Sequence, residues 1–172
     1  RNPFDNFKIS ADLYGTPIYI TIEELHHLHS ADLSKWPRLQ RQKDIFVFQC
    51  NVGCRIGDLR RFTGSNLVNG SLEYIPSKTV AKNPRTVTIP LNDMAREILS
   101  KYPSLPDDRL LPCTSTQKYN MAIKEIFEIV GLDRKVTVLD PVTQKEKRVC
   151  LYEIASSHMA RRTFAGNIYK NV

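Results

Sequence analysis

Between Gln42 and Val52 the chain sets Ile45, Phe46, Val47, Phe48, Cys50 and Val52 close together. At helical spacing such a run is apolar on nearly every face, which predicts a helix surrounded by protein rather than one lying on a surface. Gly53 follows where a glycine closes a helix with a left-handed residue. A helix buried all round needs other elements on every side. The 172 residues supply them, fitting one ordinary domain, at most with a small annex, whose core needs neither disulfide nor metal.

The remaining elements arrange themselves around that run. Thr21 and Glu24 form a capping box at the start of a helix. Residues 1–20, rich in Pro, Asn, Asp and Gly, read as linker. After Gly53, the stretch from Cys54 to Phe62 reads as a tight turn and a short second helix. Leu72–Tyr74 and Thr86–Ile89 read as strands flanking a basic, irregular connection from Ser77 to Pro84. Asn92 caps a helix carrying Met94, Ala95, Ile98 and Leu99, which Pro103 stops. Ser115 or Thr116 starts the clearest helix, with apolar residues at three and four from Tyr119 to Val130 and a closing Gly131. Val136–Leu139 and Arg148–Leu151 would pair as a hairpin. A last helix runs from His158 to Tyr169, its inward stripe Ala160, Phe164 and Ile168. No internal repeat is visible. The order predicts an α+β fold, mostly helical with small antiparallel β-hairpins.

Composition excludes several classes. Apolar residues make up 41% and charged residues 25% of the chain. That balance rules out a disordered tail, a collagen and a coiled coil. No stretch approaches a membrane span, and the N-terminus lacks the charged-then-apolar run of a signal peptide. It opens on Arg1 and reads as the middle of a longer chain. Cys50, Cys54, Cys113 and Cys150 show no zinc spacing. Cys50 and Cys54 would share a helix face, and all four read as buried free thiols of a reducing compartment. His26, His27 and His29 do not converge at their spacing, and read as exposed helix surface rather than metal ligands.

The net charge of +7 is concentrated. Residues 134–172 net +5 and residues 76–90 net +3, so the rest of the chain nets −1. A basic excess confined to two short segments points to a face for polyanions. Three places could carry chemistry. Arg55 projects from a turn held by the buried helix, which suits bidentate grip of a phosphate; pairing with Asp58 is the alternative. Lys78, beside Ser77 in the basic hairpin, could reach a nucleic-acid backbone or be a solvated loop lysine. His158 and Arg161 share a helix face near the helix start, where a phosphate could sit and a proton be handled; a plain surface helix is the alternative. Arg162 falls on a neighbouring face.

An arginine in a turn after a buried helix, a lysine in a β-hairpin, then His-x-x-Arg on a late helix resembles the order in tyrosine site-specific recombinases. The local strings agree. Gly53-Cys54-Arg55-Ile56-Gly57-Asp58-Leu59 looks like that family's first arginine box, including the acid three after the arginine. His158-Met159-Ala160-Arg161-Arg162-Thr163-Phe164 resembles the second, particularly as seen in integrases of Bacteroides-type mobile elements. Thr21-Ile22-Glu23-Glu24-Leu25 resembles the usual start of the catalytic domain, so the resemblance runs from about residue 18 to the end.

The resemblance implies DNA strand breaking and rejoining through a 3′-phosphotyrosyl intermediate, in integration or excision of a mobile element, with no metal or cofactor. Arg55 and Arg161 would clamp the phosphate, Lys78 would protonate the leaving 5′-oxygen, and His158 would bond the phosphate and assist the nucleophile. Arg60, Arg61, Lys82, Arg85 and Arg162 would contact the DNA backbone. Residues 1–17 would link to an N-terminal DNA-binding domain outside this chain, and residues 18–172 would be a catalytic domain incomplete at its C-terminus. The family's tyrosine lies a few dozen residues beyond His-x-x-Arg, so this chain would carry no nucleophile; Tyr169 reads as core or surface. The implied partners are double-stranded DNA at specific sites and other protomers, tetrameric on DNA, in the bacterial cytoplasm at the nucleoid. A non-catalytic DNA- or protein-binding module that keeps the fold is the alternative. An unrelated phosphodiesterase would need a nucleophile or metal ligands that the sequence does not offer.

Overall fold

The computed structural model describes residues 17–78, 80, 84–140, 142–143 and 145–170, with backbone only for 168–170. Seven α-helices and five strands occur among the described residues. The apolar run between Gln42 and Val52 belongs to α2 (Pro37–Val52), which sits at the centre, packed against α1 (Ile22–Ser30), α4 (Asp93–Ser100), α5 (Thr116–Val130) and α7 (Ser157–Lys170). Every residue from Gln42 to Cys50 is buried. Phe46 meets Phe127 of α5 edge to face, ring centres 5.3 Å apart.

The apolar pattern of α2 conceals four buried polar residues, Gln42, Lys43, Asp44 and Gln49. Buried polar groups persist where they are bonded. Lys43 donates to the carbonyls of His29 and Ala31 at the end of α1, which have no partner within that helix. Asp44 accepts from the Tyr102 hydroxyl at 3.0 Å and from Gln40 at 3.2 Å.

Expected starts and stops hold at several points. The Thr21–Glu24 capping box forms, Asn92 accepts from the Ala95 amide, and Ser115 caps α5 while Gly131 closes it. The first sheet has the order β1 (Leu67–Val68), β2 (Ser71–Tyr74), β3 (Val87–Pro90), all antiparallel. Its β1 was not anticipated. Asn69 and Gly70 both adopt positive φ, 48° and 75°. They make the tight β1–β2 hairpin turn that an Asn-Gly pair favours. β4 (Lys135–Leu139) and β5 (Glu146–Cys150) pair as expected, with Val136 opposite Val149.

Four expectations are corrected. Leu151 is not strand; it opens a short helix, α6 (Leu151–Ile154). Cys50 and Cys54 do not share a helix face, because α2 ends at Val52 and the left-handed Gly53 turns the chain before Cys54. Both are buried, whereas Cys113 and Cys150 are only partly so, and all four are free. Residues 18–20 are not loose linker, since Ile20 is fully buried and its amide donates to Thr163 Oγ1 of α7 at 3.2 Å. His29 is not simple helix surface: it is half-buried and faces Glu97 at 3.3 Å, while exposed His27 bonds the Val130 carbonyl at 3.0 Å. Ile168 and Tyr169 have side chains outside the described residues, as do Lys82 and residues 1–16. Among the described residues no helix is long and apolar enough to cross a membrane.

Candidate active site

The turn that carries Arg55 is built from below by α2. Gly53 adopts φ +64°, and its amide donates to the Gln49 carbonyl at 2.8 Å. The buried Gln49 side chain donates to the Cys54 carbonyl at 3.0 Å and accepts from the Tyr119 hydroxyl at 3.0 Å. The residue before Arg55 is thus fixed by a polar bridge inside the core. Arg55 then caps α3 (Ile56–Leu59), its carbonyl accepting from the amides of Asp58 (3.0 Å) and Leu59 (2.9 Å). The arginine is half-buried. The alternative pairing of Arg55 with Asp58 is not what forms: Asp58 accepts from Arg61 Nη2 at 2.7 Å and from Ser77.

Lys78 comes from the connection after β2. Its predecessor Ser77 donates through both N–H (3.0 Å) and hydroxyl (2.8 Å) to Asp58 Oδ1. Asp58 is 1% exposed. Desolvation pushes its carboxyl up, but the Ser77 bonds and the Arg61 guanidinium outweigh it and hold the group below the usual carboxylate value. Lys78 itself is exposed.

The start of α7 carries the third part. Asn120 on α5 accepts from the Ser157 amide at 2.9 Å, satisfying one of the free N–H groups of the first turn and setting where His158 begins. Arg161 Nη1 donates to the Gly53 carbonyl at 2.6 Å, so α7 is pinned to the turn before Arg55. Phe164 lies on Gly53 so closely that a Cβ added there would fall 2.3 Å from its ring. The imidazole of His158 is pushed below its ordinary pKa, first by desolvation and then by Arg162, Arg161, Arg55 and Lys78. Near neutral pH it is therefore an uncharged ring, able to accept one bond and donate another.

These parts meet in a cleft of about 330 Å³ lined by Arg55, Lys78, His158 and Arg161, with Ser77 and Ser157 among the other walls. Among the described residues that line it there is no carboxylate and no tyrosine. Three cations and a neutral imidazole around one cavity suit a phosphate diester, which spreads negative charge over its non-bridging oxygens. Tyr74, on β2 within electrostatic reach of Arg161 and Arg55, packs edgewise on Phe62 at 4.9 Å, and burial pushes its phenol up to about 12.

The flanking cations divide. Arg60, Arg85 and Arg162 are exposed. Arg61 is exposed as well, but its guanidinium is engaged by Asp58 and by the Gly57 carbonyl at 3.3 Å. Lys82 lies outside the described residues. Gln49 and Asn120 were not singled out from the sequence, and Ser77 was named only as the neighbour of Lys78. None has a local signature, because Ser77 and Asn120 act on residues brought close by the fold and Gln49 joins the Cys54 carbonyl to the distant Tyr119.

No family model matches the chain, and no curated protein matches it in sequence. Solved structures are similar to it in fold, and that fold is like that of a tyrosine recombinase catalytic domain. A transposon integrase, from Tn1549, in complex with a circular intermediate DNA is similar over 99% of this chain and 60% of its own, with 16% identity and a TM-score of 0.63. A lambda integrase tetramer bound to a Holliday junction is similar over 90% of this chain and 43% of its own, at 20% identity and a TM-score of 0.60. XerH site-specific recombinase bound to difH substrate, a pre-cleavage complex, is similar over 90% and 43%, at 16% identity and a TM-score of 0.59. At these identities the likeness is one of fold, and this chain spans 43% to 60% of those chains.

Proposed function

We propose that this chain binds DNA as the catalytic domain of a tyrosine site-specific recombinase, in a protein that cuts and rejoins strands through a 3′-phosphotyrosyl link. One observation carries the reading: Arg55, Lys78 and the pair His158–Arg161, three separate sequence features, line one cleft in which no described residue is a carboxylate. As the phosphodiester passes through a five-coordinate state, negative charge gathers on its non-bridging oxygens. Arg55, whose carbonyl anchors the first turn of α3, and Arg161, whose guanidinium is bonded to the Gly53 carbonyl, stabilise that charge from fixed positions. Lys78 protonates the departing 5′-oxygen. Neutral His158 bonds the phosphate and takes part in proton removal from the nucleophile. No metal or nucleotide is consumed in this scheme.

Among the described residues that line the cleft there is no tyrosine, and Tyr74 is a poor substitute with its ring packed on Phe62 and its pKa raised. The scheme therefore places the nucleophile elsewhere in the protein. Arg60, Arg85 and Arg162 fix register on the DNA backbone, with Lys82 proposed on sequence alone. Integration or excision of a mobile element is the biological setting proposed, with assembly of several protomers on DNA. The test is a nicked suicide substrate. These 172 residues should bind it without forming a covalent adduct. A longer form carrying the tyrosine should form one, and Arg55→Ala or Arg161→Ala should abolish it. Wild-type adduct yield in either variant would refute the clamp. That no tyrosine lines the cleft among the described residues also fits a second reading, a DNA-binding module that kept the fold without its chemistry. It predicts the same binding and no adduct in any longer form.

A further inference from the structure

Two serines stand in the cleft wall, and the fold uses them differently. Ser77 gives its hydroxyl to Asp58 Oδ1 at 2.8 Å. Ser157 gives its amide to Asn120 at 2.9 Å, and its hydroxyl is engaged by no side chain among the described residues. Yet Ser157 is only 7% exposed. A hydroxyl so enclosed ordinarily has a partner. The little surface that Ser157 keeps opens on the cleft, so the partner is a group that enters there.

Its place on the helix says which group. Ser157 opens α7, and Arg161 follows four residues on, along the same face. Helical side chains lean toward the N-terminus, so the Arg161 guanidinium reaches back over the turn that Ser157 begins. His158 stands beside them in the same wall. The guanidinium is not wholly free for a ligand, because Nη1 donates to the Gly53 carbonyl at 2.6 Å. The Ser157 amide is spent on Asn120. A phosphate seated against α7 presents several lone pairs on its non-bridging oxygens. On this side it meets the remaining N–H groups of Arg161, the His158 ring and the Ser157 hydroxyl, at a helix start that favours negative charge.

We propose that Ser157 is a further catalytic residue: its hydroxyl donates to one non-bridging oxygen of the phosphate that Arg55 and Arg161 grip. The proposal rests on the reading of the cleft as a DNA-phosphate site. The bond strengthens as the phosphate approaches the five-coordinate state, where the oxygen it meets carries more charge, so it accelerates the reaction and does not merely hold the substrate. A single hydroxyl serves one of the two non-bridging oxygens, and that makes its contribution stereospecific.

The experiment is strand sealing by the full 172-residue chain on a nicked duplex with a 3′-p-nitrophenyl phosphate beside a free 5′-hydroxyl. The phosphate is prepared with oxygen and as each of the two phosphorothioate diastereomers, in which sulfur, a weak acceptor, replaces one non-bridging oxygen. Ser157→Ala is expected to slow sealing of the oxygen substrate about 10–100-fold, the ordinary range for a lost bond to a charged group. It keeps the amide bond to Asn120, so the urea midpoint should hold. In one diastereomer the oxygen that Ser157 serves is already gone, and there Ser157→Ala should cost almost nothing further. In the other the full slowing should remain. A merely structural role would slow all three substrates alike. Should Ser157→Ala fail to fold, Ser157→Cys, a weaker donor of similar shape, carries the same comparison. Equal slowing on all three substrates overturns the role of Ser157, as does unchanged sealing in Ser157→Ala while Arg55→Ala is slowed; either result leaves the phosphate site standing. Wild-type sealing in both Arg55→Ala and Arg161→Ala overturns the phosphate reading itself, and the proposal with it.

Discussion

Replacing Gly53 by alanine should unlatch α7 from the turn that holds Arg55. Two separate penalties act at this position. Gly53 sits at φ +64°, in the left-handed region. A residue with a Cβ is strained there by about 1–2 kcal/mol. The new Cβ would also lie 2.3 Å from Phe164 Cδ1 and 2.6 Å from its Cγ, so the ring must move. Overpacking of this kind costs about 1–3 kcal/mol. The sum predicts a loss of about 2–5 kcal/mol, a large part of an ordinary domain's stability. Urea denaturation measures it, read as a shift in midpoint at constant slope. The two penalties separate in a double-mutant cycle. With Phe164→Ala already in place the clash has no partner, and Gly53→Ala should cost only the strain, about 1–2 kcal/mol. Because Arg161 bonds the Gly53 carbonyl, the single variant should also bind DNA more weakly than its stability loss explains at temperatures where it is fully folded. An equal cost with and without Phe164 would refute the proposed packing of α7 on this turn.

The core bridge below Arg55 is tested by Gln49→Leu, which strands the Cys54 carbonyl and the Tyr119 hydroxyl. A loss of about 2–5 kcal/mol is expected by denaturation, partly recovered when Tyr119→Phe is added. His158 supplies a pH signature. Its folded-state pKa is depressed, so as pH falls below the ordinary imidazole value the unfolded chain takes up the proton first; this residue's stability contribution is whole above that value and is lost below it. A bound phosphate opposes the same depression, so DNA binding should take up a proton and affinity should rise as pH falls through the region between the free and bound values. His158→Gln should flatten that dependence in anisotropy titrations, and an unchanged pH profile would place the imidazole outside the phosphate's reach.

Much of this fold was legible because local and global preferences agree. The apolar density of Gln42–Val52 marked the central helix, and caps at Thr21, Asn92 and Ser115 marked three starts. Each signal is contained in a few neighbouring residues. Asn69-Gly70 was such a signal too, and it announces β1, but a two-residue strand offers no alternation to support it. The cleft was legible only in its cations. Arg55, Lys78, His158 and Arg161 stand in recognisable strings, whereas the groups that hold them in place do not. Gln49 sits within an apolar helix and Asn120 within an amphipathic one, and their distant partners, Tyr119 and Ser157, are set by how α2, α5 and α7 pack. Asp58 could be seen, but its choice of Ser77 and Arg61 over Arg55 depends on where the β2–β3 connection returns to α3.

The central claim is that this cleft stabilises a reacting DNA phosphate. Resealing tests it without any tyrosine. A nicked duplex bearing a 3′-p-nitrophenyl phosphate beside a free 5′-hydroxyl stands in for the phosphotyrosyl link, because nitrophenolate leaves unprotonated while the hydroxyl attacks phosphorus and closes the strand. This chain is predicted to seal the nick with matching release of nitrophenolate. Arg55→Ala and Arg161→Ala should each slow sealing by about 10²–10³-fold, the usual cost of removing one donor aimed at developing charge. No sealing above background on DNA that the chain binds, or wild-type sealing in both arginine variants, would contradict the account.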